Sequence, residues 1–251
     1  MAGHSKWANI KHKKAGADAA RNKIFNKLVK EISVAAKEGG GEPDHNPRLA
    51  MAIENAKSQN MPKDNIQRAI KKGTGELEGG SNYEELTYEG YGPGGIAYFI
   101  ECTTDSQNRT VGDIRSIFNK YGGKLGQHGE VDYLFEQKGI IKIKSESADQ
   151  EELMLEAIDA GAEDIKEEEG MLEVYTTRAD LVHVRAKLEE LGYHIQSAEL
   201  HRIPFTNVKV NEDTALTNFK LMSALDDNDD VNNVYTNMEM DDETLAVAEN
   251  M

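Results

Sequence analysis

Residues 139–205 read "GIIKIKSESADQEELMLEAIDAGAEDIKEEEGMLEVYTTRADLVHVRAKLEELGYHIQSAELHRIPF", and this segment contains a complete alternation of strand and helix patterns. The β-rich run GIIKIK predicts a strand, and the amphipathic segment DQEELMLEAIDAG predicts a helix. A hairpin around Gly170 follows, and then a second helix and a last strand. The order is therefore βαββαβ, which is the split-βαβ or ferredoxin-like order, and we assign it to residues 138–204.

The segments on either side of this unit are incomplete by themselves. Residues 83–136 contain two strand-like runs, YEELTYEGYG and GGIAYFIECTTD, with an amphipathic helix and a further strand after them. Residues 207–238 add one helix and one strand, which cannot close a core alone. We therefore expect a discontinuous α/β domain made of residues 79–137 plus 205–240, into which the ferredoxin-like unit is inserted. Residues 239–251 have the composition of a frayed acidic tail.

The first 78 residues predict a basic helical domain with three helices and no strand. The segment ADAARNKIFNKLVKEISVAAK is amphipathic, and a run of three glycines ends it. Two further helices begin with a proline near their first turn, in NPRLAMAIENAKSQN and MPKDNIQRAIKKG. The fold class is therefore α+β multidomain: a three-helix N-terminal domain is followed by two α/β domains, at least one of them ferredoxin-like.

Charge is distributed unevenly along the chain. Residues 1–75 hold 15 Lys+Arg and 7 Asp+Glu, a net charge of +8, whereas the formal net charge of the whole chain is -16. The remaining residues therefore carry -24. A basic segment attracts polyanions because it releases condensed counterions from phosphates, whereas an acidic body is repelled by them. The asymmetry predicts a protein that presents one end to nucleic acid.

The basic arm at residues 4–14, HSKWANIKHKK, combines lysines and histidines with no acidic residue. The first helix continues this basic character, because Lys23, Lys27 and Lys30 fall on the side opposite its apolar face. Arg21 falls outside that basic arc. Trp7, the only tryptophan, either stacks on an unpaired base or anchors the arm against the first helix, and the sequence favours neither.

Three patterns resemble a nucleotide-binding loop, a calcium-binding loop and a reactive cysteine, but the residues around each of them do not fit that function. Gly90, Gly92 and Gly95 match a dinucleotide fingerprint, but they lie between two strands and indicate a turn instead. The DDNDD run at residues 226–230 lacks the glycine and glutamate of a calcium loop and indicates an acidic helix-to-strand turn. Cys102 lies among apolar residues, as a buried structural thiol does. We predict no catalytic residue, no metal site, no cofactor and no small-molecule substrate, and hence no enzyme.

The chain resembles the YebC/PmpR family over nearly its whole length. The resemblance is carried by the N-terminal stretch from MAGHSKWANIKHKKAGADAARNKIFNKL onward and by YEGYGPGGIA, ECTTDSQNRT and FNKYGGKLG. It implies three domains, the middle one discontinuous, and DNA binding as the activity of a probable transcriptional regulator. It also implies basic contact positions at Lys6, Lys11, His12, Lys13, Lys14, Arg21, Lys23 and Lys27. With Trp7 and Lys30, these residues form the predicted nucleic-acid site.

Two functions remain open on the sequence. The first is a DNA-binding regulator of transcription. The second, which mitochondrial translational-activator relatives imply, is a ribosome-associated translation factor that binds rRNA or tRNA. Lysine outnumbers arginine in the basic segment, and lysine suits phosphate contacts more than base readout. We expect a monomeric cytoplasmic protein with no membrane partner, since no apolar run approaches the length of a membrane span.

Overall fold

A computed structural model describes residue 7 and residues 17–77, 82–147, 149–168 and 170–249 of the chain. These residues form a mixed α/β structure with eight α-helices and two four-stranded antiparallel sheets. None of the helices in the described ranges combines the length and the apolar character that crossing a membrane requires.

Three helices form the helical unit, residues 17–77. They are α1 (Ala17–Gly39), α2 (Pro47–Ser58) and α3 (Lys63–Gly73). The loop between α1 and α2 is fixed by Asn46, whose side chain accepts the N–H of Leu49 at 3.1 Å and donates to the carbonyl of Ala35 at 2.8 Å. Asn46 thereby caps α2 and ties it to α1. The buried core of the unit comprises Ile32, Ala35, Leu49, Ile53, Met61, Ile66 and Ile70.

The first sheet has the strand order β3-β1-β2-β8. Its strands are β1 (Glu84–Tyr91), β2 (Ala97–Thr104), β3 (Lys124–Leu125) and β8 (Val231–Thr236). Because β8 pairs with β2, the chain returns to this sheet near its end. Two helices contribute to the same core, α4 (Gln107–Lys120) and α7 (Glu212–Asp226). The core includes Ile96, Tyr98, Ile100, Cys102, Ile114, Phe118, Phe219, Met222 and Leu225.

The second sheet has the strand order β5-β6-β4-β7. Its strands are β4 (Phe135–Lys144), β5 (Asp164–Glu168), β6 (Met171–Thr177) and β7 (Ile195–Pro204). Helices α5 (Gln150–Asp159) and α6 (Leu181–Glu190) pack against it. Along the chain the elements follow the β-α-β-β-α-β order that the sequence predicts for this segment. The core comprises Ile141, Ile143, Leu153, Ala157, Leu172, Val174, Val184, Leu188 and Ala198.

The start of β4 departs from the sequence prediction of a separate strand before residue 138. β4 is one continuous strand that begins at Phe135, and the expected boundary between residues 137 and 138 falls inside it. Phe135 packs in a small cluster with Phe99 and Tyr235 of the first sheet. The guanidinium of Arg202, on β7, lies 3.7 Å from the Phe99 ring centroid. The two sheets are therefore joined by packing at this strand and not by an independent linker.

The C-terminal segment also differs from the prediction of a frayed tail. Residues Asp242–Glu249 form helix α8, and Leu245 and Ala248 are buried in the core that contains α7. These two residues are three positions apart and therefore lie on one helical face. The overall composition of the segment is acidic and therefore gives no indication of this apolar face.

Candidate nucleic-acid interface

Five residues of the predicted site, Lys6, Lys11, His12, Lys13 and Lys14, lie outside the residues that the structure describes. Their assignment to nucleic acid stays a prediction.

Trp7 is placed in the core of the first sheet. Its ring is 4.8 Å from the ring of Phe219, with an angle of 29° between the planes, and only 7% of the residue is exposed. Of the two roles that the sequence leaves open, the structure shows the packing role. The partner that the structure shows is Phe219 on α7, whereas the sequence analysis named the first helix. The burial of the ring opposes a base-stacking role, and the assignment of Trp7 to nucleic acid stays a prediction.

The lysines of α1 face an acidic partner within the protein. We call residues 226–230 the acidic turn; it lies between α7 and β8, as the sequence predicts. The ammonium of Lys23 is 2.7 Å from a carboxylate oxygen of Asp226, and that of Lys27 is 2.9 Å from the other. Lys27 also donates to the carbonyl of Asn232 at 2.6 Å. The acidic turn thus neutralises much of the basic surface that the helical periodicity predicts.

Lys30 is more deeply enclosed than its neighbours. Its ammonium donates to the carbonyl of Thr103 at 2.9 Å and lies 3.3 Å from a carboxylate oxygen of Asp230. The side chains of Lys30 and Asp230 are only 11% and 8% exposed. Lys30 is therefore part of the junction between α1 and the first sheet in this structure.

Asp230 is the centre of a buried hydrogen-bond network. One of its carboxylate oxygens accepts from Thr104 at 3.1 Å and from Arg109 and Thr110 at 2.8 Å each. Burial pushes the pKa of Asp230 upward, but the hydrogen bonds from Arg109 and Thr110 and the charge of Lys30 outweigh it. The pKa of Asp230 therefore lies below its ordinary value, and the carboxylate is held in its charged form.

Arg21 keeps an exposed position near the start of α1. Its guanidinium carbon lies 5.1 Å from the centroid of the Phe25 ring, a cation–π distance. Among the candidate α1 residues in the described part of the chain, Arg21 is the one without an acidic partner.

A second basic surface, which the sequence analysis missed, lies on α3. We call Lys63, Gln67, Arg68 and Lys71 the α3 face; all four are exposed. At about 100° per residue they span an arc of about 140°, opposite the buried Ile66, Ala69 and Ile70. Asp64 lies within the same arc. The signal was available in the spacing i, i+4, i+5 and i+8 of the segment MPKDNIQRAIKKG.

The cations of the α3 face differ from most others in the structure. Within the described residues, Lys63, Arg68 and Lys71 have no ion pair, side-chain hydrogen bond or ring contact. No other helix in those ranges carries more than one such lysine or arginine. In a chain with 45 acidic residues, three uncompensated cations on one short helix are a concentrated positive site.

The orientation of α3 is fixed by contacts along its buried side. The hydroxyl of Ser33 on α1 lies 3.1 Å from the carbonyl oxygen of Ala69 and 2.8 Å from that of Val29, and the two carbonyls share its one proton. Gly73 lies so close to α1 that an added Cβ would be 2.3 Å from the carbonyl oxygen of Ser33. At the end of α3 the Lys72 ammonium lies 4.7 Å from the centroid of the Tyr83 ring. The α3 face is therefore presented by a rigidly packed helix.

The helical unit is also anchored to both sheets. Arg48 on α2 pairs with Glu31 on α1 at 3.1 Å and with Glu85 on β1. Asn55 on α2 makes two hydrogen bonds of 3.2 Å to the main chain of Ala198, donating to its carbonyl and accepting from its N–H. Asn55 thereby satisfies the outer edge of β7, which is an edge strand. These contacts fix where α3 lies relative to the acidic body.

Groups that could support other chemistry are held in structural roles. Burial raises the pKa of the Cys102 thiol to about 12, so the reactive thiolate is suppressed. Gly90, Gly92 and Gly95 fall at the connection of β1 to β2. In the described part of the chain there is no cluster of three side chains suited to hold a metal ion.

The fold and the two basic surfaces define a class of protein: an acidic α/β body that carries a helical unit with uncompensated cations. Comparison with known proteins identifies the family. Residues 5–76 match the family described as "TACO1/YebC protein N-terminal domain", and residues 83–238 match "TACO1/YebC second and third domain". The chain belongs to the TACO1/YebC family.

Relatives cover nearly the whole chain. A protein of Persephonella marina is 54% identical over 247 residues, with 98% of each chain covered. A protein of Geobacter sulfurreducens is 54% identical over 245 residues, again with 98% of each chain covered. A protein of Thermotoga maritima is 52% identical over 246 residues and covers 98% of this chain and 96% of its own. All three are named "Probable transcriptional regulatory protein".

A solved structure supports the architecture. The crystal structure of a conserved hypothetical protein from Aquifex aeolicus is 48% identical in sequence and matches with a TM-score of 0.85. The match covers 93% of this chain and 96% of that chain. The two proteins therefore share the same overall fold.

Proposed function

We propose that the protein is a non-enzymatic nucleic-acid-binding regulator of gene expression, acting as a DNA-binding regulator of transcription in the cytoplasm. The observation that carries this proposal is the cluster of uncompensated cations on α3, set in a chain of net charge -16. Uncompensated lysines and arginines bind phosphates because they release condensed counterions. The names of the bacterial relatives, which describe regulators of transcription, support the same function.

A ribosome-associated translation factor is the second candidate. The family description names TACO1 beside YebC, and the resemblance described above links the family to mitochondrial translational activators. The acidic body also fits a protein that contacts rRNA or tRNA at one end only. Structured RNA is recognised largely through shape and phosphate contacts, for which lysines suffice.

We further propose three domains, with residues 1–78 forming the basic helical domain. Residues 79–137 plus 205–240 form the discontinuous α/β domain, and residues 138–204 form the inserted ferredoxin-like domain. Three buried clusters support this division, since each draws mainly on residues of one proposed domain. The strand order β5-β6-β4-β7 fits a ferredoxin-like sheet. We expect the protein to act as a monomer.

Crosslinking followed by sequencing of the recovered nucleic acid distinguishes the two functions. We expect promoter DNA fragments if the protein regulates transcription, and rRNA or tRNA fragments if it acts on the ribosome. A variant with Lys11, Lys13 and Lys14 all changed to Glu is expected to lose the crosslinks in either case, since the arm supplies phosphate contacts. Failure of the wild-type protein to crosslink to any nucleic acid would refute the proposal.

A further inference from the structure

The α3 face has the composition of a surface that reads bases as well as one that binds phosphate. Gln67 and Arg68 are adjacent in sequence and both exposed, and each can make two hydrogen bonds to one base edge. Lys63 and Lys71 lie at the two ends of the same face and can contact the flanking phosphates. From this placement we infer that the α3 face binds double-stranded DNA, with Gln67 and Arg68 directed at bases in the major groove.

The dimensions of α3 fit this role. The helix has 11 residues and is therefore about 16 Å long, and Lys63, Arg68 and Lys71 occupy one side of it. The major groove of B-form DNA admits an α-helix, whereas the major groove of A-form RNA is too narrow for side chains to read. Duplex DNA is therefore the partner that the face fits better. The inference rests on the proposed function, which it deepens by naming the contact surface.

The rigidity of α3 supports recognition through this helix. The close approach of Gly73 to α1 and the contact of the Ser33 hydroxyl with the Ala69 carbonyl hold the helix against its neighbour. A base-reading side chain needs a fixed backbone, because a displacement of the helix would misalign both hydrogen bonds at once. Lys23, Lys27 and Lys30 of α1, in contrast, pair with Asp226 and Asp230 of the acidic turn.

The first test measures the affinity for DNA of a variant with Lys63, Arg68 and Lys71 all changed to Glu. Fluorescence anisotropy with a labelled random-sequence DNA duplex is expected to show a loss of about 100-fold or more. Single changes of Lys63 or Lys71 to Ala should lower the salt slope of binding by about one unit each. Arg115→Glu is the matched control, because Arg115 is exposed on α4 and has no partner among the described residues. Its affinity should stay within about twofold of the wild type.

A second variant should raise the affinity for DNA. Asp64 is the one acidic residue on α3, and it lies within the arc of the α3 face. Removal of its charge by Asp64→Asn should tighten DNA binding by about two- to fivefold, because a like charge near the phosphates is removed. An ordinary solvated helix surface would show no change. Circular dichroism and thermal unfolding should confirm that the variants stay folded, since none of the altered side chains is buried.

The third test separates base readout from phosphate attraction. Selection from a random duplex pool with the wild type should yield a base preference that Gln67→Ala relaxes by about fivefold or more at one position. A matching RNA duplex should bind more weakly and show no dependence on Gln67. Equal binding of DNA and RNA duplexes, or a Gln67→Ala variant with unchanged preference, would overturn the inference.

If wild-type protein binds no nucleic acid probe, the proposed function itself is refuted. If the wild type binds DNA and the triple α3 variant binds equally well, only the assignment to α3 is wrong. An equal loss for Arg115→Glu would also overturn it, because the effect would then reflect net charge alone.

Discussion

The basic surfaces of α1 and α3 are similar in composition but differ in what surrounds them. Lys23, Lys27 and Lys30 of α1 contact Asp226 and Asp230 of the acidic turn. The cations of the α3 face have no such partner among the described residues. Lys23 and Asp226 are 203 positions apart in the chain, so the sequence gives no local sign of their pairing. A count of basic residues therefore measures total charge and not the charge left available for a ligand.

The largest expected effect concerns the junction of α1 with the acidic turn. Asp230→Ala should lower the free energy of unfolding by about 3 to 5 kcal/mol, because it leaves Lys30 and Thr110 enclosed without their shared partner. Urea denaturation measures this change. Asp229→Asn is the matched control, since Asp229 is exposed in the same turn and should change stability by less than about 0.5 kcal/mol. Equal effects of the two changes would show that the junction adds nothing to stability.

The next largest effect concerns Trp7, whose ring either stabilises the folded protein or stacks on a base. Trp7→Ala should lower the free energy of unfolding by about 3 kcal/mol, because the ring packs on Phe219 in a buried core. If Trp7 stacked on a base instead, Trp7→Ala would lower the affinity for single-stranded nucleic acid and leave the unfolding midpoint unchanged. Parallel thermal unfolding and anisotropy measurements decide between these results. We expect the loss in stability, with affinity changed by less than about twofold when measured below the transition.

The stability that Asp230 contributes at the junction with α1 should depend on pH. The pKa of Asp230 is lower in the folded protein than its ordinary value, so the carboxylate contributes stability that is fully present above that ordinary value. This contribution is lost as the pH falls through the folded pKa. The difference in unfolding free energy between wild type and Asp230→Asn should therefore stay constant above about pH 5 and shrink as the pH falls below the ordinary aspartate value of 3.8. A difference that stayed constant or grew on acidification would contradict the assigned role.

The smallest effect is expected from making the α1 surface resemble the α3 face. Asp226→Asn removes the carboxylate shared by Lys23 and Lys27, whose pairs are partly exposed. The change should cost about 1 kcal/mol or less in stability and should raise affinity for duplex DNA by about two- to threefold. The gain should disappear in high salt. An unchanged affinity would indicate that α1 faces away from the bound nucleic acid.

Much of the fold could be predicted from the sequence because local periodicity specifies it. The order of elements in residues 138–204 and the three N-terminal helices follow from apolar spacing and from proline and glycine positions. The exceptions have identifiable causes. Phe135 belongs to a strand that begins before the expected boundary, and its packing partner Phe99 is distant in sequence. Leu245 and Ala248 form an apolar face within a segment whose overall composition is acidic.

The candidate site was harder to predict than the fold. Whether Lys23 is available depends on Asp226, and whether Trp7 is exposed depends on Phe219; neither relation has a local sequence signal. The α3 face did have a local signal, because its four members recur on one side of a helix. The proline that begins this helix gives no information about its outward side. The recurrence of cations on the outward side predicts the surface, and only the structure shows that they have no acidic partner among the described residues.

Because β8 pairs with β2, the first sheet can be completed only late in translation. β2 is complete at Thr104, but the strand that covers its edge begins only at Val231. At ordinary rates of synthesis the interval is on the order of 10 s, during which an apolar strand stays uncovered on the nascent chain. The helices encoded first and the inserted unit can both fold before this gap closes. Ribosomal pausing or chaperone depletion late in translation should therefore harm the yield of this protein more than the same disturbance early.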